Sequence, residues 1–254
     1  MAFKPYPEWT TVQGLTWLPK DPTLQNFEFL FFGHANGLVV TLDRTVVMPM
    51  ISSLVTSTLG TAIAVICGTL SSYAVVRFGQ APSMPLSILQ LRLFPPLAVM
   101  IPVMVMWAFM GAIDTWWGLS IIYGIVTLPF GFWLMKTFFE EVPIEIEEAA
   151  RVAGSSRFRV FWKITLPIVK PGLATCVLFV FIMNWSDYLL ALLLTQKEWV
   201  TLPVYMSTLS AAMSGQMYGM KAALGILAAV PPVVFGLLIQ KHLVRGLTFG
   251  ALKQ

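Results

Sequence analysis

Long apolar stretches, separated by short charged segments, make up most of this chain. Because a helix needs about 20 apolar residues to cross a bilayer, the gaps between charged residues show where spans can lie. Five gaps are long enough, and they predict membrane-spanning helices at 47–76, 93–113, 116–135, 172–195 and 222–240. The pattern therefore predicts an all-α, polytopic membrane protein folded as one domain over residues 1–254.

One charged segment, residues 140–171, interrupts the apolar pattern between the third and fourth predicted spans. Its first half favours a short helix that begins at Pro143 and stops at Gly154. Acidic residues come early in this helix and Arg151 comes late, which complements the helix dipole. The segment therefore starts with a self-contained polar helix.

A second helix is predicted directly after this turn. Ser155 or Ser156 can cap it, and Pro167 is expected to end it. Its predicted apolar face consists of three aromatic residues, Phe158, Phe161 and Trp162. We call this helix–turn–helix, residues 140–171, the knob.

Exposed aromatic surface beside charge is typical of a docking site, so the knob is predicted to bind a soluble partner. The alternative is a solvated loop whose aromatic residues lie at the membrane interface.

The composition supports a membrane protein and excludes a soluble domain. Hydrophobic residues make up 57% of the chain, charged residues 11%, and the mean hydropathy is +0.78. The net charge of +4 does not indicate binding to nucleic acid, because basic residues of membrane proteins collect on cytoplasmic loops. If the knob is cytoplasmic, ten Lys and Arg residues lie on its side and five on the other. This bias predicts a cytoplasmic tail, 245–254, and an external segment, 1–45.

The external position of residues 1–45 raises a question of export. The segment contains neither the apolar core of a signal peptide nor a preceding span. An odd number of spans with a cytoplasmic carboxyl terminus nevertheless places it outside. We therefore expect an additional apolar span before Met1.

A short helix is predicted within this external segment. Asp21 can cap it, Pro22 suits its first turn, and Gly33 suits its end. Its predicted apolar face comprises Leu24, Phe27 and Phe31. Such a helix either docks on the outer rim or on a partner, or lies with its apolar face on lipid.

The fourth predicted span contains an acidic residue, Asp187. An ionisable group within a span is a functional-site hypothesis by default. Hydrogen-bonding and aromatic side chains surround it, and they would suit a hydroxylated solute; the predicted solute path is Asn184, Trp185, Asp187 and Tyr188. The alternative is that Asp187 lies near the outer interface and accepts a structural hydrogen bond from a neighbouring helix.

Other reactive side chains give no site. Cys67 and Cys176 lie within apolar runs without metal-ligand spacing and are expected to be packing residues, so no metal site is predicted. His34 and His242 are isolated. Arg92 either extends to the cytoplasmic interface or pairs with an acid on another helix.

The spacing of residues in the knob resembles the EAA loop of binding-protein-dependent ABC importer permeases. Glu148-Ala149-Ala150 is followed after three residues by Gly154, and after nine more by Ile164-Thr165-Leu166-Pro167. NWSDYLLALLLT at 184–195 and GLTFGALKQ at 246–254 are similar to the maltose-transporter type of carbohydrate-uptake permease. Gln254 stands where that tail commonly has Gly, and these permeases usually have six spans.

The resemblance implies a type I ABC importer. Its partners would be a second permease subunit, an ATPase dimer, an external solute-binding protein and the lipid of the bacterial inner membrane. ATP and Mg²⁺ would bind to the ATPase subunits, since this chain lacks the G-x-x-x-x-G-K-[ST] pattern. The chain itself would hold no cofactor, catalyse no reaction and bind no nucleic acid.

The resemblance also implies the residues that couple the chain to the ATPases. In the knob they are Glu148, Ala149, Ala150, Gly154, Phe158, Phe161, Trp162, Ile164, Leu166 and Pro167. Glu148 would pair with a basic residue of the ATPase. In the tail, the contacts would be Gly250, Ala251 and Lys253.

Three other functions are alternatives to sugar import by an ABC transporter. An ABC permease for amino acids or peptides would share the spacing of the knob. A proton-coupled secondary transporter would need a relay of buried acids, and one acid within a span makes a poor relay. A membrane enzyme would need a catalytic cluster, and the sequence shows no such constellation.

Overall fold

The computed structural model describes residues 1–5, 18–33, 45–79, 83–90, 96–212 and 218–250. Over these ranges the chain forms helices and turns, without a strand. In chain order the helices are α1 (Gln25–Phe32), α2 (Val47–Phe78), α3 (Met84–Gln90), α4 (Pro96–Phe109), α5 (Trp116–Glu140), α6 (Ile144–Val152), α7 (Arg157–Ile168), α8 (Lys170–Trp185), α9 (Leu189–Leu194), α10 (Leu202–Ala212) and α11 (Tyr218–Gly250). The all-α architecture predicted from the apolar pattern is confirmed.

Three of the predicted spans coincide with long helices. Within the described ranges, α2, α5 and residues Tyr218–Gln240 of α11 are long and apolar enough to cross a membrane. The second predicted span, 93–113, forms only the 14-residue helix α4, and residues 91–95 lie outside the description. Among the residues that the structure describes, the long spans therefore number three, or four if α7 and α8 are taken together as one bent span.

The fourth predicted span, 172–195, is not one continuous helix. Helix α8 ends at Trp185, and the chain resumes helical structure only at Leu189 in α9. The Asp187 carboxylate accepts hydrogen bonds from the backbone N–H groups of Leu190 (3.0 Å) and Ala191 (3.3 Å). This local bonding starts a new helix and explains the break, because an Asp side chain competes with the backbone for such donors.

Helices α2 and α5 form the centre of the bundle. Small residues on their facing sides bring the two backbones together: a Cβ atom on Gly68 would lie 2.7 Å from the backbone nitrogen of Phe132. The hydroxyl of Thr127 donates to the carbonyl of Tyr123 in its own helix, at 2.6 Å. Close backbone approach and hydroxyls satisfied within the helix are typical of packing between membrane helices. Helix α8 packs against both, and α11 packs against α8.

Helix α1 begins later than the sequence predicts and buries a different face. Leu24, rather than Asp21, is its N-terminal cap, and the end at Gly33 is confirmed by a left-handed φ of 75°. The buried side chains are Asn26, Phe29 and Leu30, whereas Leu24 and Phe31 are exposed. The amide nitrogen of Asn26 donates to the carbonyls of Ala2 and Lys4, at 2.8 and 2.9 Å, which turns this side of the helix inward.

Asp114 fastens the end of the bundle opposite the knob. It is the one residue other than glycine with a positive φ (56°) in the described part of the chain. Its carboxylate accepts four backbone hydrogen bonds, from residues 196–199, at 2.7–3.1 Å. Partial burial alone would raise the pKa of Asp114, but these four donors outweigh it and hold the pKa below the ordinary value of 3.8. The carboxylate thus joins the loop before α5 to the loop after α9.

Gly68→Ala tests the close packing of α2 and α5. The added methyl group would meet backbone atoms of Phe132 and Gly131, which cannot move aside, so we expect a loss of about 1–3 kcal/mol of stability. The measurement is thermal melting of the purified protein in detergent. The control is Gly225→Ala in α11, where a Cβ atom meets nothing within 4 Å. Equal melting temperatures for the two variants would contradict close packing.

Asp114→Asn tests the clamp and its dependence on pH. Asn tolerates the left-handed backbone but lacks the charge, so the variant should lose about 1.5 kcal/mol at pH 7. Because the folded pKa lies below 3.8, the stabilisation is present above that pH and is lost as the pH falls through the folded value. The melting difference between the native protein and the variant should therefore shrink below pH 3.8. A difference that is constant or grows on acidification would contradict the clamp.

Candidate functional site

The first helix of the knob, α6, has the boundaries that its sequence predicts. Pro143 is its N-terminal cap, and Gly154 follows its end with a left-handed φ of 87°. The N–H of Ser155 returns to the carbonyl of Ala150 at 3.0 Å, which closes the turn. Only glycine takes this backbone conformation without a steric cost, so the direction of the second helix depends on Gly154.

The second helix of the knob, α7, is capped as predicted but ends later. Ser156 is the residue that caps it, since its hydroxyl accepts a hydrogen bond from the N–H of Arg159 at 3.4 Å. The helix contains a π-helical turn at Phe161–Thr165 and continues past Pro167 to Ile168. Pro167 has no N–H to give to the preceding turn, and the wider π turn accommodates its ring. Helix α8 then leaves at a bend of 75°.

The aromatic residues of α7 do not share one face, which corrects the sequence prediction. Phe158 is 74% exposed and Trp162 is 50% exposed, but Phe161 is only 5% exposed. The ring of Phe161 lies against Tyr73 of α2, with ring centres 4.6 Å apart, and against Phe139 of α5. Phe161 therefore attaches the knob to its own bundle, and Phe158 and Trp162 are left to face outward.

The other predicted coupling residues divide by exposure. Glu148, Ala149, Gly154 and Pro167 are exposed, whereas Ala150, Ile164 and Leu166 are partly buried. The sequence prediction missed Val152, which is 90% exposed at the end of α6 beside the exposed glycine turn. The knob thus presents Val152, Phe158 and Trp162 as exposed apolar side chains, with Glu148 as an exposed acid.

A buried charge network holds the knob against α2. Glu147, next to the predicted Glu148, is buried, and its carboxylate lies 2.7 Å from Nε of Arg77. It also accepts hydrogen bonds from the hydroxyls of Tyr73 and Thr165, each at 2.9 Å. No local pattern in the sequence marks this network, because 70 residues separate Arg77 from Glu147.

An apolar cavity of about 420 Å³ extends from the knob into the bundle. Its walls come from α2, α7, α8 and α11, and its lining residues include Thr58, Thr61, Thr69, Phe161, Trp162, Phe181 and Phe235. Three threonines and several aromatic rings therefore line one space. The cavity connects the level of the knob with the middle of α2.

The predicted solute-path residues lie outside this cavity. Asn184 is buried and donates to the hydroxyl of Thr61 at 3.2 Å, and Trp185 is buried and donates to the carbonyl of Ala228 at 2.9 Å. Asp187 binds the backbone of α9, and Tyr188 is exposed. The contacts of Asp187 are those of a structural hydrogen-bond acceptor: it bonds to the next turn of its own chain, and Tyr123 of the neighbouring helix α5 lies beside it.

Some of the remaining predicted residues lie outside the ranges that the structure describes. Gly250 ends α11, and Ala251 and Lys253 lie beyond the described residues, as do Arg92 and His34. Cys67 and Cys176 are free thiols; Cys176 is buried, as expected of a packing residue, whereas Cys67 is exposed. Among the residues that the structure describes, no three His, Cys, Asp or Glu side chains are grouped closely enough to hold a metal ion.

Comparison with known proteins connects this architecture with transport. A family described as "Binding-protein-dependent transport system inner membrane component" matches residues 60–249. The chain is 32% identical to the trehalose transport system permease protein SugB of Mycobacterium tuberculosis, over 96% of this chain and 87% of that protein. It is 37% identical to the maltodextrin permease MdxG of Bacillus subtilis, over 72% and 66%, and 30% identical to the galactooligosaccharides permease GanQ of the same organism, over 93% and 82%.

Solved structures show the same fold. A bacterial ABC transporter involved in the import of the acidic polysaccharide alginate matches with a TM-score of 0.69 and 23% identity, covering 90% of this chain and 83% of that one. The MetNI methionine ABC transporter matches with a TM-score of 0.60 and 16% identity, covering 78% and 94%. These likenesses confirm the transmembrane fold that the resemblance of the knob implied.

Asp187→Leu and Asp187→Asn together test the structural role of this acid. Asn keeps an acceptor oxygen for the N–H groups of Leu190 and Ala191, whereas Leu keeps none. We therefore expect Asp187→Leu to lose about 1 kcal/mol more stability than Asp187→Asn in thermal melting. Tyr188→Phe, at the exposed neighbouring position, is the control and should be neutral. If Leu and Asn are equally stable, the carboxylate does not cap α9.

Proposed function

The chain belongs to the family of binding-protein-dependent transport system inner membrane components, and we propose that it carries a sugar or a related hydroxylated solute into the cell. As an ABC transporter permease it is a multi-pass protein of the inner membrane and is not itself the ATPase. The observation that supports a sugar is the likeness, over nearly the whole chain, to a trehalose permease. An oligosaccharide, a polyol or a glycoside fits this proposal.

The exposed surface of the knob supports coupling to an ATPase. Moving a transporter from 1:99 to 99:1 between two states takes about 5.5 kcal/mol, and an exposed ion pair contributes about 1 kcal/mol or less. Glu148 alone is therefore insufficient. Burial of Val152, Phe158 and Trp162 in a cleft of the ATPase would supply the larger part, since each of these side chains now faces solvent.

The proposed assembly has one arrangement in the membrane. The knob and the tail, residues 245–254, face the cytoplasm, where an ATPase dimer binds ATP and Mg²⁺. Asp114 and the loop that it clamps face outward, where a solute-binding protein delivers the solute. A second permease subunit completes the pathway, and the remaining apolar surface faces lipid.

The apolar cavity is the proposed wall of the solute path. Its lining is almost wholly apolar, and the rings of Phe181 and Phe235 can pack against the C–H faces of a sugar. A wall of this kind suits short-lived binding of a solute that passes through the transporter. The buried residues Asn184 and Trp185 support this wall from behind, because Asn184 holds Thr61.

Gly154→Val tests the proposed coupling. A β-branched residue at a φ of 87° costs about 1–3 kcal/mol and redirects α7, so uptake should fall by about tenfold while the chain still inserts. Glu148→Ala should have the same direction and a smaller effect, about twofold, because it removes only an exposed charge. The measurement is ATP-dependent sugar uptake, with binding-protein-stimulated ATP hydrolysis, by the complete complex in vesicles.

The matched control for Gly154→Val is Gly111→Val. Gly111 also has a left-handed φ, 65°, and nothing lies within 4 Å of its Cβ position, but it is at the opposite end of the bundle from the knob. Because that end is proposed to face the binding protein, this control is read in chain insertion and in the amount of bound ATPase, and both should equal those of the native complex. Full uptake and full stimulated hydrolysis in Gly154→Val would show that the knob is not the coupling element.

A further inference from the structure

The Glu147 carboxylate joins three separate parts of the chain. It belongs to α6, it pairs with Arg77 in the last turn of α2, and it accepts the hydroxyl of Thr165 from the π turn of α7. The guanidinium of Arg77 also donates to the carbonyl of Val142 at 2.8 Å. The knob is therefore fixed to α2 by contacts that do not follow the chain path.

Both charges of this pair are shielded from water. The side chains of Arg77 and Glu147 are 7% and 8% exposed, whereas in the neighbouring pair of Lys136 and Glu140 the Glu140 side chain is 51% exposed. A buried charge must remain paired, so separating Arg77 from Glu147 is far more costly than separating an exposed pair. The buried pair therefore resists any movement of the knob relative to α2.

Aromatic packing extends this attachment to α5. The ring of Tyr73 lies 5.4 Å from that of Phe139 and 4.6 Å from that of Phe161, centre to centre. Arg157 of α7 lies over the ring of Phe78 at the end of α2, at 5.0 Å. Since α2 and α5 are themselves in backbone contact at Gly68, the knob, α2 and α5 form one body.

The chain path to α8 is different, because α7 and α8 meet at a bend of 75° after a π turn. A π turn and a sharp bend mark a place where the angle between helices can change. Movement of the knob therefore reaches α2 and α5 through buried contacts, and it reaches α8 through this bend and through the packing of α8 on α2 and α5.

We propose that the Glu147–Arg77 pair is the link through which movement of the knob drives α2 and α5 during transport. This inference rests on the proposed function. Glu147 and Arg77 are positioning residues: neither belongs to the exposed surface offered to the ATPase, so losing the pair should leave ATPase binding in place. What should fall is the number of sugar molecules imported for each ATP hydrolysed.

The test is that ratio in complete complexes of permease, ATPase and binding protein in vesicles. The probe is whichever of trehalose, maltotriose and galactobiose most raises the melting temperature of the binding protein. Arg77→Met should lower the ratio by about fivefold or more, the low end of ordinary coupling between sites, with the amount of bound ATPase unchanged. Arg77→Lys retains the charge and should keep at least about half of the ratio.

Two further variants make the result decisive. Lys136→Gln breaks the exposed pair near the same end of the bundle and should leave the ratio unchanged. If Arg77→Met does not assemble, Arg77→Met with Glu147→Met removes both buried charges and should assemble with an equally low ratio. A native ratio in assembled Arg77→Met, or in the double variant, overturns the proposed link. If the native complex imports none of these sugars, and no polyol or glycoside raises the melting temperature of its binding protein, the proposed function has failed and the inference loses its basis.

Discussion

The position of the knob depends on one buried carboxylate. Glu147 cannot be removed from water unless its charge is matched, and Arg77, Tyr73 and Thr165 together match it with three contacts of 2.7–2.9 Å. These partners come from two different helices, so the knob has one favourable orientation against the bundle. With that orientation fixed, Phe161 packs inward and Phe158 and Trp162 remain outside.

Close packing in the rest of the bundle allows this attachment to pass movement from the knob to the other helices. In lipid, backbone groups must be satisfied within the protein, and close packing replaces the hydrophobic effect between helices. Gly68 and Gly131 allow α2 and α5 to approach until their backbones touch, so a displacement of one helix is passed to the other. At the far end of α5, about 37 Å away along its 25 residues, Asp114 clamps the loop that is proposed to face the binding protein. The two ends of one packed pair of helices are thus tied to the two proposed docking faces.

Features set by neighbouring residues could be predicted from the sequence. The long gaps between charged residues predict α2, α5 and α11. The conformational freedom of glycine at position 154 predicts the turn of the knob. Phe161 was misplaced because positions 161 and 162 lie about 100° apart on a helix, so burial of one leaves the other outside. The Glu147–Arg77 pair could not be found, since contacts across 70 residues leave no local pattern. The break before α9 was missed because hydropathy does not report a carboxylate that bonds to its own backbone.

The exposed face of the knob is proposed to lie in a cleft of an ATPase while its buried face is held by Glu147. Photo-crosslinking residues placed singly at Phe158, at Phe161 and at exposed Phe109 near the opposite end test it in native membranes. We expect a crosslinked product with the ATPase subunit from position 158 and none from positions 161 and 109. Absence of that product from position 158, in membranes that support ATP-dependent sugar uptake, would contradict it.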